Sequence, residues 1–228
     1  MIPSAIINAR NMEPTVKIPF AFDVDRLRSD TDKALAEGVG HNNRTFRHGQ
    51  GWNTVALYSV DGRTDADALR WAGWDADYRP TPILEKCSYF KEVIDGFKCP
   101  IYRVRLSKLA AGTSINPHRD KGDTWAVGKI RLHIPIYTNE DIWFFIDDQR
   151  VVMAEGECWY TDVSHLHSVT NRSNEDRVHL LLDVGVNNWL RSVFPKESLI
   201  SKARNLKTKA RFFGTEKVWE LRKKFGLT

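Results

Sequence analysis

The stretch RVHLLLDVGV, residues 177–186, is short and apolar, and it opens on an arginine. It is the last of six such runs. PIYRVRLSKL (100–109), KIRLHIPIYT (129–138), DIWFFIDDQRVVMA (141–154), GECWYTDV (156–163) and HSVTNRS (167–173) precede it. Each is rich in β-branched and aromatic residues and is set off by turn residues, which is the pattern of strands. Strands at this spacing, with no helical period between them, predict an antiparallel sandwich or barrel.

Outside this region the texture differs. DVDRLRSDTDKALAEG (23–38) has a capping Asp, helix formers and a closing Gly, and ILEKCSYFKEVIDGF (83–97) ends at Gly96, so both predict helices. Residues 41–80 are rich in Asn, Gly, Asp and Trp and read as loops with short strands. Beyond residue 190, Leu199, Ala203, Leu206 and Ala210, then Val218, Leu221 and Phe225, fall at helical spacing. The expected organisation is an N-terminal α+β region (1–98) bracing the barrel, a β core (99–190) and a basic helical region (191–228).

Net charge over the 228 residues is +5, but it is unevenly placed. Residues 191–228 carry 11 Lys and Arg against 3 Glu, whereas the rest carries 23 against 26 acidic residues. A basic patch attracts nucleic acid or anionic ligands, although the apolar stripes in the same segment predict helices docked on the barrel. No run of apolar residues is long enough to cross a membrane as a helix. The N-terminus lacks the pattern of a secretory signal. Cys87, Cys99 and Cys158 are odd in number and far apart, which fits neither a disulfide framework nor a cysteine-rich zinc site. They read as reduced thiols of a cytoplasmic protein.

The chemistry concentrates in TSINPHRDKGD (113–123). Its His-Arg-Asp resembles the catalytic loop of a protein kinase, but that loop needs an Asn five residues after the Asp, and position 125 is Trp. The other reading is metal binding by His118 and Asp120, which two-residue spacing turns to one side of a strand. With 7 histidines in the chain, one such pair is near what chance produces. Its company strengthens it, because VSHLHSV (163–169) offers His165 and His167 from the far part of the β region. Two imidazoles and one carboxylate on one face of a metal leave three positions open, as in non-haem Fe(II) oxygenases, whereas zinc favours a tetrahedral site. Such oxygenases commonly use the dianion 2-oxoglutarate, whose distal end calls for a fixed cation. Arg177, at the head of an apolar strand, is a candidate for that cation or for a structural ion pair.

VRLSKLAAGTSINPHRD (104–120), KIRLHIPI (129–136), EGECWYTDVSHLHSV (155–169) and RVHLLLDV (177–184) together resemble the aspartyl/asparaginyl β-hydroxylase family of Fe(II)/2-oxoglutarate dioxygenases, particularly the branch of bacterial proline hydroxylases. The resemblance implies a double-stranded β-helix, or jelly roll, with flanking N-terminal and C-terminal helices. It implies His118 and His167 as iron ligands and Arg177 as the holder of the distal carboxylate of 2-oxoglutarate. Ser107 and Arg131 fall where the family places further co-substrate contacts, and His133 faces the same side as Arg131. The ten-residue spacing to Arg177 favours His167 over His165. The animal peptide hydroxylases of the family have Gly where this chain has Asp120, so retention of the carboxylate resembles the proline hydroxylase branch and implies hydroxylation. His179, on the face of Arg177, lines the pocket or is a hydrogen-bonded core residue. His41 and His48 have no assigned partners.

The expected activity is hydroxylation of a C–H bond of an amino acid or amino-acid residue, proline-like or aspartyl/asparaginyl, with Fe(II), 2-oxoglutarate and O₂ consumed to give succinate and CO₂. Arg119, Trp52, Trp125 and Tyr137 are the candidates for holding the substrate's carboxylate and amine. Two rivals belong to other classes: a non-catalytic jelly-roll binding module, and a nucleic-acid-binding protein using the basic C-terminal helices.

Overall fold

The alternation of the six runs is realised as two antiparallel sheets. The computed structural model describes residues 14–37, 41–42, 51–65, 67–120 and 122–194. The helices expected beyond residue 194, and His48, lie outside the described residues. The elements are β1 (Thr15–Ala21), α1 (Val24–Glu37), β2 (His41–Asn42), β3 (Trp52–Val60), β4 (Tyr78–Pro80), α2 (Pro82–Glu85), α3 (Ser88–Gly96), β5 (Ile101–Leu109), β6 (Ser114–His118), β7 (Lys129–Tyr137), β8 (Ile142–Ile146), β9 (Gln149–Val151), β10 (Glu157–Thr161), β11 (His167–Asn171), β12 (Arg177–Gly185) and α4 (Asn188–Val193).

The larger sheet has the order β1-β10-β7-β12-β5-β3-β2, with β4 pairing β3, and the smaller has the order β6-β11-β8-β9. From β5 to β12 the chain therefore shuttles between the two sheets, landing in the larger at β5, β7, β10 and β12. That shuttling is the double-stranded β-helix, a jelly roll whose edges are partly covered by added strands. The N-terminal region does more than brace it, because β1 and β3 extend the larger sheet at either side.

The central strands β5, β7 and β12 of the larger sheet each have one apolar and one polar face, and both are buried. On β12, Val178, Leu180, Leu182 and Val184 point outward into the main hydrophobic core, joined by Val104 and Leu106 of β5 and by Ile130, Leu132, Ile134 and Ile136 of β7. Leu27 and Ala34 of α1 and Phe90, Val93 and Ile94 of α3 cover that face. The alternate residues point inward: Arg177, His179, Leu181 and Asp183 on β12, Arg103, Arg105 and Ser107 on β5, Arg131 and His133 on β7. Registers align them into rungs, with Arg105, Leu181 and His133 abreast and Ser107 beside His179. A second, smaller apolar cluster of Leu109, Ile115, Ile142, Phe144, Ile146, Met153 and Val169 fills the space towards the smaller sheet.

The helix expected over 83–97 is broken in two at Lys86 and Cys87. Cys87 supplies no side-chain cap to α3. The cap comes instead from α1, where the buried Asp30 carboxylate accepts from the backbone N–H groups of Tyr89 (2.7 Å) and Phe90 (3.0 Å). The break lets α3 turn its N-terminus onto that carboxylate. The β8–β9 hairpin is tight because Asp147 (φ 45°) and Asp148 (φ 64°) both adopt left-handed backbone, which Asp tolerates better than most residues.

Asp30→Ala orphans two buried N–H donors at the start of α3 and removes their favourable charge. It is expected to destabilise the fold by about 2–4 kcal/mol, read as a lower urea midpoint, whereas Asp30→Asn retains an acceptor and loses less.

Candidate metal and anion site

The last residue of β6 and the first of β11 decide the site. His118 and His167 are register partners on adjacent antiparallel strands, and their rings lie 4.2 Å apart, centroid to centroid. Asp120 lies two residues beyond the end of β6, fixed by its backbone N–H donating to the Val163 carbonyl (2.8 Å). One ligand atom from each of His118, Asp120 and His167 lies within 4.8 Å of the others. His165 faces elsewhere, with Nδ1 against the Asp147 carboxylate and Nε2 3.9 Å from Asp162.

Both imidazoles are oriented by backbone. His118 Nδ1 donates to the Asn116 carbonyl (2.7 Å) and His167 Nδ1 to the His165 carbonyl (3.0 Å). A carbonyl only accepts, so Nδ1 carries the proton and each neutral ring keeps its Nε2 lone pair for a metal. Burial pushes the His167 pKa down to about 4, which keeps that lone pair free at neutral pH. Burial alone would raise the pKa of Asp120, but the charge and hydrogen bond of Arg131 outweigh it and hold the carboxyl below its ordinary value.

These groups open on a cavity of ≈ 50 Å³ between the sheets, which Ser107, Arg131, His133 and Arg177 also line. Ile115, Phe144, Val163, Val169 and Leu181 form its apolar wall. Arg177 is 3% exposed. Its one hydrogen bond among the described residues is from an Nη to Nδ1 of His179 (2.9 Å), and its Nε has no partner. Burial lowers its pKa to about 9. A buried guanidinium with no carboxylate against it among the described residues is costly unless an anion joins it. Ser107 Oγ accepts from Trp52 Nε1 (2.8 Å), which leaves its own proton to donate. His133 is buried, and among the described residues neither ring nitrogen has a hydrogen-bond partner. Burial, then the charges of Arg177, Arg131 and Arg105, press its pKa well below the usual value.

Arg131 lines the cavity with its donors engaged by carboxylates. Its Nε donates to Asp183 (2.8 Å), one Nη to Asp120 (2.7 Å) and the other to Asp123 (2.8 Å). It spends its fork on three carboxylates and fixes the one that faces the metal position. Asp183, fully buried, also receives Arg103 (2.5 Å) and Arg105 (3.1 Å). Lys129 closes the far end on Asp123 (2.8 Å), under the Trp71 ring.

Of the residues expected to meet substrate, Trp52 lines the cavity. Trp125 is turned away into a buried aromatic group with Tyr160 and Phe194. Tyr137 sits at the end of β7 beneath Arg28. Arg119, exposed between the two ligand positions, donates to the Ser164 carbonyl (3.2 Å). None of these three lines the cavity. Arg105 does line it and was missed. Its signal was the alternation in YRVRLS, which puts Arg103, Arg105 and Ser107 on one face.

A family profile described as Aspartyl/Asparaginyl beta-hydroxylase matches residues 22–186. The chain belongs to that family. The L-proline cis-4-hydroxylase of Rhizobium meliloti (strain 1021) is 26% identical over 167 residues, which cover 71% of this chain. The chain spans 57% of that relative's length. Among solved structures, a prolyl hydroxylase of Trichoplax adhaerens, in complex with a hypoxia inducible factor peptide fragment, superposes with a TM-score of 0.50 at 12% identity, over 84% of this chain and 91% of its own. A non-heme alpha ketoglutarate dependent carbocyclase from nogalamycin biosynthesis gives 0.50 at 12% identity, over 87% and 95%. At such identities the likeness is one of fold.

Asp183→Asn leaves three buried guanidinium groups short of an anion and releases Arg131 from behind Asp120. The variant is expected to lose about 3–5 kcal/mol of stability and about 10–100-fold in divalent metal affinity. In an Asp120→Ala background the same change should leave residual metal affinity unaltered, because its route to the metal is gone.

His133 and His179 both have folded pKa values depressed by burial, against an ordinary value of about 6.5. The unfolded chain therefore takes up protons that the folded chain refuses. Stability is full above pH ~6.5 and falls as pH drops below it, by about 1.4 kcal/mol per pH unit for each histidine. Urea midpoints of metal-free protein at pH 7.5 and 5.5 measure this, and replacing His179 with Gln should flatten the slope.

Proposed function

We propose that this protein is an Fe(II)- and 2-oxoglutarate-dependent dioxygenase that hydroxylates a C–H bond of an amino acid or amino-acid residue. The observation that carries the reading is the pairing of two sites in one small cavity. A two-histidine, one-carboxylate donor set stands beside a buried arginine that has no carboxylate of its own. The donor set suits Fe(II) with open positions, and the arginine suits the far end of a dicarboxylate. Family membership and the proline hydroxylase relative support it.

His118, Asp120 and His167 would hold the iron, which with 2-oxoglutarate and O₂ supplies the oxidising power and releases succinate and CO₂. Arg177 receives the distal carboxylate, and the Ser107 hydroxyl and neutral His133 add hydrogen bonds from the same wall. His179, accepting from Arg177, fixes the guanidinium's plane. Ile115, Phe144, Val163 and Val169 keep the reacting region dry, which strengthens each of these interactions. Among the described residues no helix is long and apolar enough to cross a membrane. Cys87, Cys99 and Cys158 are all free thiols, which supports a reducing, cytoplasmic setting.

Anaerobic titration of the protein with Fe(II) and 2-oxoglutarate should raise a visible charge-transfer band. His118→Ala and Asp120→Ala should abolish or strongly weaken it. Arg177→Ala should keep metal binding but raise the 2-oxoglutarate midpoint by about 30-fold or more, as expected when one member of a buried charge pair is lost. Well-folded, metal-loaded protein without a band would exclude the dioxygenase and leave a jelly-roll binding module.

A further inference from the structure

Two connections of the barrel deliver the metal position. Asp120 belongs to the segment that leaves β6 for β7, and His167 opens β11 after the connection from β10, residues 162–166. Asp120 stands outside the sheet ladders, so its placement against His167 depends on what ties these two connections together.

Asp162, the first residue after β10, ties them. It is 8% exposed and does not line the cavity. Its Oδ1 accepts from the Ser164 backbone N–H (3.1 Å) and from the Ser164 hydroxyl (2.5 Å). Its carbonyl accepts from the His165 N–H (3.0 Å). One carboxylate thereby winds the connection into a tight Asx turn. Its other oxygen, Oδ2, accepts from the hydroxyl of Thr124 (3.2 Å), which lies in the same segment as Asp120. The backbone N–H of Asp162 is anchored on the Pro14 carbonyl (2.7 Å).

The turn so formed presents its carbonyls to the metal position. Val163 accepts from the Asp120 N–H (2.8 Å), Ser164 from Arg119 (3.2 Å) and His165 from Nδ1 of His167 (3.0 Å). The backbone of one ligand and the ring of another are thus oriented by a single turn. Arg131 does a different part of the task, because it holds the carboxylate of Asp120 and not its backbone. Without the Asp162 side chain, the Ser164 N–H and two hydroxyls lose their acceptor in a largely buried place, and the turn has no reason to keep its shape.

We propose that Asp162 is a positioning residue of the metal site, which acts through Ser164 and Thr124 to set the placement of Asp120 against His167. The proposal rests on the metal-site reading above.

The test titrates the full, metal-free chain with Co(II), an air-stable stand-in for Fe(II) whose visible ligand-field bands report the geometry of its ligands. Urea midpoints are measured beside it. Asp162→Ala should weaken Co(II) binding by about 10–100-fold and change the band pattern of the saturated protein. Asp162→Asn keeps an oxygen for Ser164 and offers an amide N–H that the Thr124 hydroxyl oxygen can accept, so it should restore the wild-type bands and most of the affinity. Thr124→Val, nearly isosteric, breaks only the link between the two connections. It should weaken binding by about 3–10-fold, the worth of one hydrogen bond. In an Asp120→Ala background the same change should leave the residual affinity of the two histidines unaltered.

A carboxylate that serves only the fold behaves otherwise: Asp162→Ala then lowers the urea midpoint while bands and affinity stay those of wild type. That result, failure of Asp162→Asn to restore the bands, or an equal effect of Thr124→Val with and without Asp120 would each overturn the proposal. If Asp162→Ala does not fold, the two Thr124→Val measurements still decide it. Folded wild type that binds no Co(II) overturns the metal-site reading, and this assignment with it.

Discussion

Arg131 joins the larger sheet to the metal position. It stands on β7, in the middle of the larger sheet, and reaches Asp120, a residue of a loop beyond β6 of the smaller sheet. A loop carboxylate at 33% side-chain exposure would otherwise sample several rotamers, at an entropic cost repaid only on binding metal. The guanidinium fixes it beforehand, and Asp183 and Asp123 fix the guanidinium. Burying so many charges is rarely the cheapest way to stabilise a core, since apolar residues of similar volume often do as well. What an ion network adds is a defined position for each member. Here the member that gains is the carboxylate whose placement a metal reads to a few tenths of an ångström.

The two faces of the larger sheet divide the labour. Outward residues of β5, β7 and β12 form a continuous aliphatic layer under α1 and α3, and this layer supplies most of the burial that drives folding. Inward residues on the same strands are nearly all polar or charged. Such a wall folds only because the outward layer holds the strands in register whatever the inward residues do. A one-residue slip would exchange the two faces entirely, so the chemistry of the site and the register of the fold are specified by the same alternation.

That alternation explains what could be read from the chain and what could not. The strands from Ile101 to Gly185 were legible because each carries its period in full, and α1 was legible through its capping Asp23 and helix formers. The break between α2 and α3 was not, because its cause is Asp30, more than fifty residues away. His118, Asp120 and His167 could be chosen by spacing and resemblance, since strand ends deliver them to one point. Trp125, between β6 and β7, could not be placed because no strand period runs through it, and Tyr137 shares the parity of Arg131 and His133 but is separated from them by a register shift opposite Val178 and His179. Arg131 had been assigned by resemblance to a co-substrate contact, and only the positions of Asp123 and Asp183 reveal how fully its donors are engaged. Arg105 was visible in principle, in the same period that revealed Arg177, but nothing in its neighbourhood of sequence distinguished a cavity-facing arginine from one in an ion pair.

Arg131 and Arg177 thus sit on adjacent strands, equally buried in kind, with opposite fates. The first is surrounded by carboxylates and its pKa lies well above the ordinary value, while burial depresses that of the second. The difference is one of purpose in the physical sense. A satisfied cation contributes a fixed geometry and gains little from a ligand. An unsatisfied one carries a desolvation cost in the free protein that an arriving anion removes, so part of the anion's binding energy is relief of that cost. The same reasoning orders the rest of the wall. Asp183 is shared among Arg103, Arg105 and Arg131, and Arg131 has two further carboxylates in Asp120 and Asp123, so the loss of Asp183 would cost Arg105 more than it would cost Arg131.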